Sequence, residues 1–161
     1  MVYPPQGSPT QTLAGVYALS NTVIQANDAE VSTTSISYTK VKEIKIASVV
    51  TGNVGCQGSG TSFALRIMFD IKISNTATSA RGQVYRNGVA VGTEHSNSTT
   101  SYVTFTDDIT QPWTQNDLIQ LYIRTLNSAY TAYARNFRVC GTYVSNPVQS
   151  STFPASYTNT L

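Results

Sequence analysis

The chain reads as an all-β protein, an antiparallel β-sandwich, on three observations. Phe63, Leu65, Ile67, Phe69, Ile71 and Ile73 fall on every second position, with Arg66, Asp70 and Lys72 between them. That is the period of a strand with one buried face. Residues 83–91 place two short strands about Asn87-Gly88, the pair that most strongly favours a two-residue hairpin. No window holds a helical period over three turns.

In chain order, Pro4, Pro5, Gly7, Ser8 and Pro9 make residues 1–14 an extended N-terminal arm with little to bury. Val16–Gln25 is a mildly apolar first strand. Tyr38–Val50 is a long strand whose phase shifts between Val41 and Ile44, the mark of a β-bulge. Gly52, Gly55, Gly58 and Gly60 make residues 51–61 a loop. Phe63–Ser74 is the central strand, 75–80 a turn and 82–94 the hairpin. Ser101–Ile109 puts Val103, Phe105 and Ile109 on one face. Residues 111–117 carry the single tryptophan, Trp113, after Pro112. Leu118–Leu126 sets Ile119, Leu121 and Ile123 on one side, 127–130 turns, and Ala132–Val144 closes the sheet. Pro147, Pro154 and the loss of periodicity make 145–161 a second arm.

A faint repeat runs through this order. Residues 30–38 align without gaps on 94–102, matching Glu30 with Glu94 and Tyr38 with Tyr102, and 80–84 echo 134–139. The spacing is too irregular for a solenoid but fits two related sheets. About eight short strands with arms at both ends give a jelly-roll-like sandwich over 15–144.

The 161 residues suit one domain. Charged residues are 11%, less than half the usual share of about 25%. Hydroxyls and amides therefore supply solubility, a composition common in secreted, cell-surface and virion proteins. The net charge of +2 is too small for a polyanion partner, so no specific nucleic acid is expected. Lys40, Lys42 and Lys45 read as a solvated strand face. The first residues lack the basic and apolar regions of a signal peptide, and nothing approaches the roughly 18 apolar residues of a membrane span. A surface composition without a leader suits a virion protein released by lysis or extrusion, or a mature chain whose leader is gone.

Reactive chemistry is sparse. The single histidine, His95, sits in a Ser/Thr-rich stretch and reads as a solvated loop residue; a catalytic triad would need a positioned acid and serine. Asp107, Asp108 and Asp117 could contribute to a calcium site but read as turn punctuation. No catalytic residue, metal or cofactor is expected. Trp113, Tyr130 and Tyr133 are the candidate glycan-stacking residues, and also suit a core or a protein interface. Asn97-Ser98-Thr99 is a formal glycosylation sequon. Cys56 and Cys140 are a possible disulfide, closing a long loop worth roughly 4 kcal/mol in the chain-entropy model, or two free thiols. In the arms, Tyr3, Val148, Phe153, Tyr157 and Leu161 are apolar anchors in segments unable to fold alone. The expectation is that Tyr3, Phe153, Tyr157 and Leu161 lie across a neighbouring copy.

The run 82–94, then 101–109, then Asp117–Tyr122 resembles a V-Y-x-N-G-x-x-x-G-T … Y-x-x-F-x-x-D-I … G-D-x-I-Q-L-Y pattern of small β-sandwich structural proteins of tailed phages and archaeal viruses. Asn116-Asp117 stands where the pattern often has Gly-Asp. The resemblance covers residues 30–144 and implies structure and assembly, with no catalytic residues to carry over. The resulting expectation is a non-enzymatic virion component (capsid, decoration, turret or tail), partnered by copies of itself and other virion proteins. The alternatives are an extracellular filament subunit built by strand donation, and a carbohydrate-binding module with a surface glycan as partner.

Overall fold

The structure, a computed structural model, describes residues 15–46 and 62–145. The segments before residue 15 and after 145, which the sequence predicts to be arms, lie outside the described residues with Tyr3, Phe153, Tyr157 and Leu161, as does Cys56. Among the described residues no helix is long and apolar enough to cross a membrane.

Ten strands follow one another: β1 (Gly15–Asn27), β2 (Val31–Thr33), β3 (Thr39–Lys45), β4 (Phe63–Ile73), β5 (Ala80–Arg86), β6 (Val89–Ala90), β7 (His95–Asn97), β8 (Val103–Gln111), β9 (Leu118–Thr125) and β10 (Ala132–Ser145). They form two antiparallel sheets, β1-β10-β4-β8 facing β3-β9-β5-β6, with β2 added beside β10 and β7 beside β5. From β3 to β5, and again from β8 to β10, the chain changes sheet at every step, which is jelly-roll connectivity. The eight strands on the two paths are those the sequence predicts. The extra two, β2 and β7, are three residues long, too short to show a period of two.

The core lies between the sheets and is built by alternation. In β4, Leu65, Ile67, Phe69, Ile71 and Ile73 are fully buried, and in β9 so are Ile119, Leu121 and Ile123. Burying one such side chain is worth about 1.5–3 kcal/mol. β5 turns into β6 through Asn87 (φ 49°) and Gly88 (φ 83°), the paired left-handed residues of a type I′ hairpin. The bulge expected in β3 falls between Lys40 and Lys42. It sets Lys42, Ile44 and Ile46 on the inner side, and Lys42 is only 3% exposed. The reading of Lys42 as solvated is therefore corrected: its aliphatic stem lies inside and its ammonium reaches Asn27 O, Asn27 Oδ1 and Ala29 O.

The repeat has a structural basis, an approximate two-fold that exchanges the sheets. β2 opposes the start of β10 (Val31 to Ala134), as β7 opposes the start of β5 (His95 to Gly82). β4 ends with Ile73 opposite Ala132, as β9 ends with Thr125 opposite Ala80. Backbone bonds repeat as well. Ile73 N to Thr99 O matches Thr125 N to Ser35 O, and Ser74 N to Thr131 O matches Leu126 N to Ser79 O. The strand echo read from the sequence is out of register: these pairings align Ala80 with Ala132 rather than with Ala134.

Candidate functional site

The two copies of the Glu…Tyr repeat bond to each other. Tyr38 Oη donates to Glu94 Oε2, and Tyr102 Oη donates to Glu30 Oε2. Each tyrosine belongs to one copy and each acceptor to the other, so the two long loop stretches are latched crosswise over the outer faces of the sheets. Each ring also carries a cation from the equivalent place in the fold: Arg124 of β9 lies 4.9 Å from the Tyr38 centroid, and Lys72 of β4 lies 4.5 Å from that of Tyr102. Such contacts are worth about 0.5–1 kcal/mol at exposed sites. Burial, and then the neighbouring carboxylate, push both phenols well above their ordinary pKa. Glu94 is held below the ordinary carboxylate range by the bond from Tyr38 and, against some burial, by Arg81 and Arg124.

On the outer face of β3-β9-β5 this latch continues into an aromatic row. Tyr85 and Tyr122 stack at 4.1 Å, and Tyr38 lies 6.3 Å from Tyr85. Arg81 donates to Glu94 at 2.6 Å, and Gln83 donates to Gly92 O at 3.0 Å. On the opposite sheet the centre is instead a carboxylate. Asp70 accepts from Thr104 Oγ1, Arg135 Nε and Asn136 Nδ2.

Between the sheets sits a polar pair in contact with core aromatic rings. His95 Nε2 is 2.9 Å from Asp107 Oδ1. The ring stacks on Phe105 at 4.7 Å and meets Phe69 edge-on at 5.7 Å. The side chains of His95 and Asp107 are 19% and 8% exposed, which corrects the reading of His95 as a solvated loop residue. It sits on β7, whose flanking Ser and Asn hide the strand from the sequence. Asp107 Oδ2 is buried without a hydrogen-bond partner. Gly92 makes room for it: a Cβ there would lie 2.5 Å from that oxygen. Alternation in β8 does place Asp107 on the face of Phe105 and Ile109, so the sequence held this signal.

The remaining predicted residues scatter. Asp108 is on the outer face, clamped bidentately by Arg66 at 2.8 Å, and Arg66 holds its carboxyl low. Asp117 caps its turn by accepting from Thr114 N at 2.8 Å and also binds Arg86 and Asn87. Asp107, Asp108 and Asp117 thus point to three different places. No metal-holding group of three His, Cys, Asp or Glu occurs among the described residues. Trp113 is 4% exposed, with Nε1 donating to Ile109 O at 3.2 Å. Tyr130 packs against the core, and Tyr133 lies under Lys72. Trp113 and Tyr130 lie beyond opposite ends of β9, so the three do not make one stacking platform. Cys140 is buried, and burial raises its pKa. Asn97 is 4% exposed, its amide donating to Ile71 O and Ser101 O and its Oδ1 accepting from Thr99 N. The sequon is thereby a buried loop anchor.

No protein-family model and no curated protein matches the chain. Among solved structures, it is similar to the C-terminal domain of EclA, a sugar-binding protein, at 9% identity and a TM-score of 0.45, covering 84% of this chain and 89% of that one. It is also similar to the CBM36-1 domain of a multidomain xylanase from the hindgut metagenome of Trinervitermes trinervoides, at 14% identity and 0.43, covering 73% and 100%. A third likeness is to a chain of the native virion of Kashmir bee virus at acidic pH, at 13% identity and 0.36, covering 89% and 78%.

Proposed function

We propose that the chain is a non-enzymatic structural subunit of a virion, acting by self-association with copies of itself and other virion proteins. Connectivity alone assigns no function; the observation that carries this reading is how the carboxylates are used. All eight are bonded within the sandwich. Asp28 pairs with Arg138, Glu30 with Tyr102, Glu43 with Lys40, Asp70 with Arg135, Glu94 with Arg81, Asp107 with His95, Asp108 with Arg66 and Asp117 with Arg86. General acid–base work needs such a group within reach of substrate, whereas a scaffold uses it to fix strands and loops. Native mass spectrometry and electron microscopy of the full chain test the reading. A defined oligomer or particle is expected, and a chain monomeric at every concentration refutes it.

A second reading, carbohydrate recognition, is favoured by the row Tyr38, Tyr85 and Tyr122 beside Arg81, Arg124 and Gln83. Half-buried rings flanked by planar polar groups suit a sugar's mixed surface. A glycan array with the parent and Tyr85→Ala separates the two: binding lost in the variant supports this reading, and no binding by the parent removes it.

A further inference from the structure

The two halves of the sandwich are controls for each other, and one of the places where they differ is an exposed corner. Ser35 O accepts from Thr125 N at 2.9 Å in one half, as Thr99 O accepts from Ile73 N at 3.1 Å in the other. The residues that follow these bonded pairs are Ile36 and Leu126 in the first case, and Thr100 and Ser74 in the second. Ile36 is 58% exposed and Leu126 47%; Thr100 and Ser74 are exposed too. The same backbone is therefore complete with hydroxyls at these places, and the core does not call for the apolar pair.

The surroundings narrow what covers it. The loop stretches 33–38, 74–79, 97–102 and 126–131 gather at this end and hold Ser, Thr, Asn, Tyr, Ala, Ile and Leu, with no Asp, Glu, Lys or Arg. Depletion of charge with tyrosine at hand is the composition of an interface core. The loops are also held in place. Asn97, Thr33 and Asn127 side chains each bond the backbone two residues on, so little ordering cost remains for binding.

We propose that this corner docks a second copy of the chain across a two-fold axis passing by Ile36 and Leu126. The proposal rests on the self-association reading and names its contact. Near such an axis each residue meets its own counterpart, so any charge there would face its like. Loops without a charged residue meet that condition. A foreign partner gains from complementary charge, which these loops do not offer.

The test is sedimentation and native mass spectrometry of the full chain, with Ile36→Lys/Leu126→Lys beside the control Thr100→Lys/Ser74→Lys. The first pair should weaken association roughly thirtyfold or more, and the control by less than about threefold. Far-ultraviolet circular dichroism checks folding. If the lysine variant fails to fold, Ile36→Thr/Leu126→Ser, which copies the other half, must show the weakening instead. Parental affinity in the first variant, or equal loss in both, overturns the assignment while leaving self-association standing. A parent chain monomeric throughout overturns self-association itself, and the corner with it.

Discussion

Replacing His95 by Val and Asp107 by Ile together gives one half of the sandwich the inner pair that the other half already uses. Val31 and His95 begin β2 and β7, while Ile44 opposes Ile119 as Asp107 opposes Ile67. His95→Val alone leaves a buried carboxylate with no partner on either oxygen. Breaking a buried pair in this way costs about 3–5 kcal/mol, and the lost ring contacts with Phe105 and Phe69 add about 0.5–1.5 kcal/mol. Asp107→Ile alone strands the imidazole N–H and costs about 1–3 kcal/mol. The double variant strands nothing and should lie within about 1 kcal/mol of the parent, or above it. The coupling is therefore large and favourable, at least about 3.5 kcal/mol. Urea denaturation followed by the fluorescence of buried Trp113 measures all four proteins. In thermal melts His95→Val should fall roughly 7–26 °C, at about 2–4 °C per kcal/mol for this size. A double variant as unstable as the sum of the singles would refute the equivalence.

Four further outcomes are expected. Asn97→Ala removes two donated bonds to backbone carbonyls, that of Ile71 buried, and the turn bond from Thr99, and should cost about 2–4 kcal/mol; a melt within a degree of the parent contradicts the anchor role. The Asn97 sequon should also stay unmodified after secretory expression, read by intact mass. Burial pushes the Asp117 carboxyl up, but bonds from Thr114 N, Asn87 and Arg86 outweigh it and hold the group below its ordinary value. Its contribution is therefore full above the ordinary carboxylate range and lost as pH falls through the lowered value. Asp117→Asn should be less stable at neutral pH by about 1–3 kcal/mol, with a shallower loss below about pH 4; unchanged acid unfolding contradicts this. Tyr38→Phe and Tyr102→Phe should each cost about 0.5–1.5 kcal/mol and add in the double variant, and markedly unequal losses would count against the crosswise latch.

What the sequence revealed depended on how far each signal ran. β4 carries its alternation for eleven residues, so its central place and buried face were legible, as was the Asn87-Gly88 turn from its chemistry. The bulge near Val41 was visible as a break in phase, yet its consequence for Lys42 was not, because one inserted residue turns every later side chain over. β7 was missed because His95, Ser96 and Asn97 show no apolar period, and with it the burial of His95. The repeated glutamates and tyrosines were in plain view. Their reciprocal bonding was not, since it depends on the sheets exchanging places across the fold.

The open edges bear on the self-association proposed above. A bare strand edge invites pairing with another chain, and soluble sandwiches blunt it with bulges, charge or brevity. Here each edge is treated differently. β6 is two residues long. β3 presents Lys40 and Lys45 beside Glu43, and β8 carries Asp107 and Asp108. β1 is long, but its ladder to β10 shifts between Ala18 and Val23. Asn21, within that break, accepts from Arg66 Nη1 at 2.9 Å on β4, two strands away, so the edge is irregular and tied by its side chain at that point. Four blunted edges weigh against growth by strand donation. They leave the proposed contact between copies to surfaces other than the strand edges, and the described end whose loops hold no charged residue is the one bearing Ile36 and Leu126.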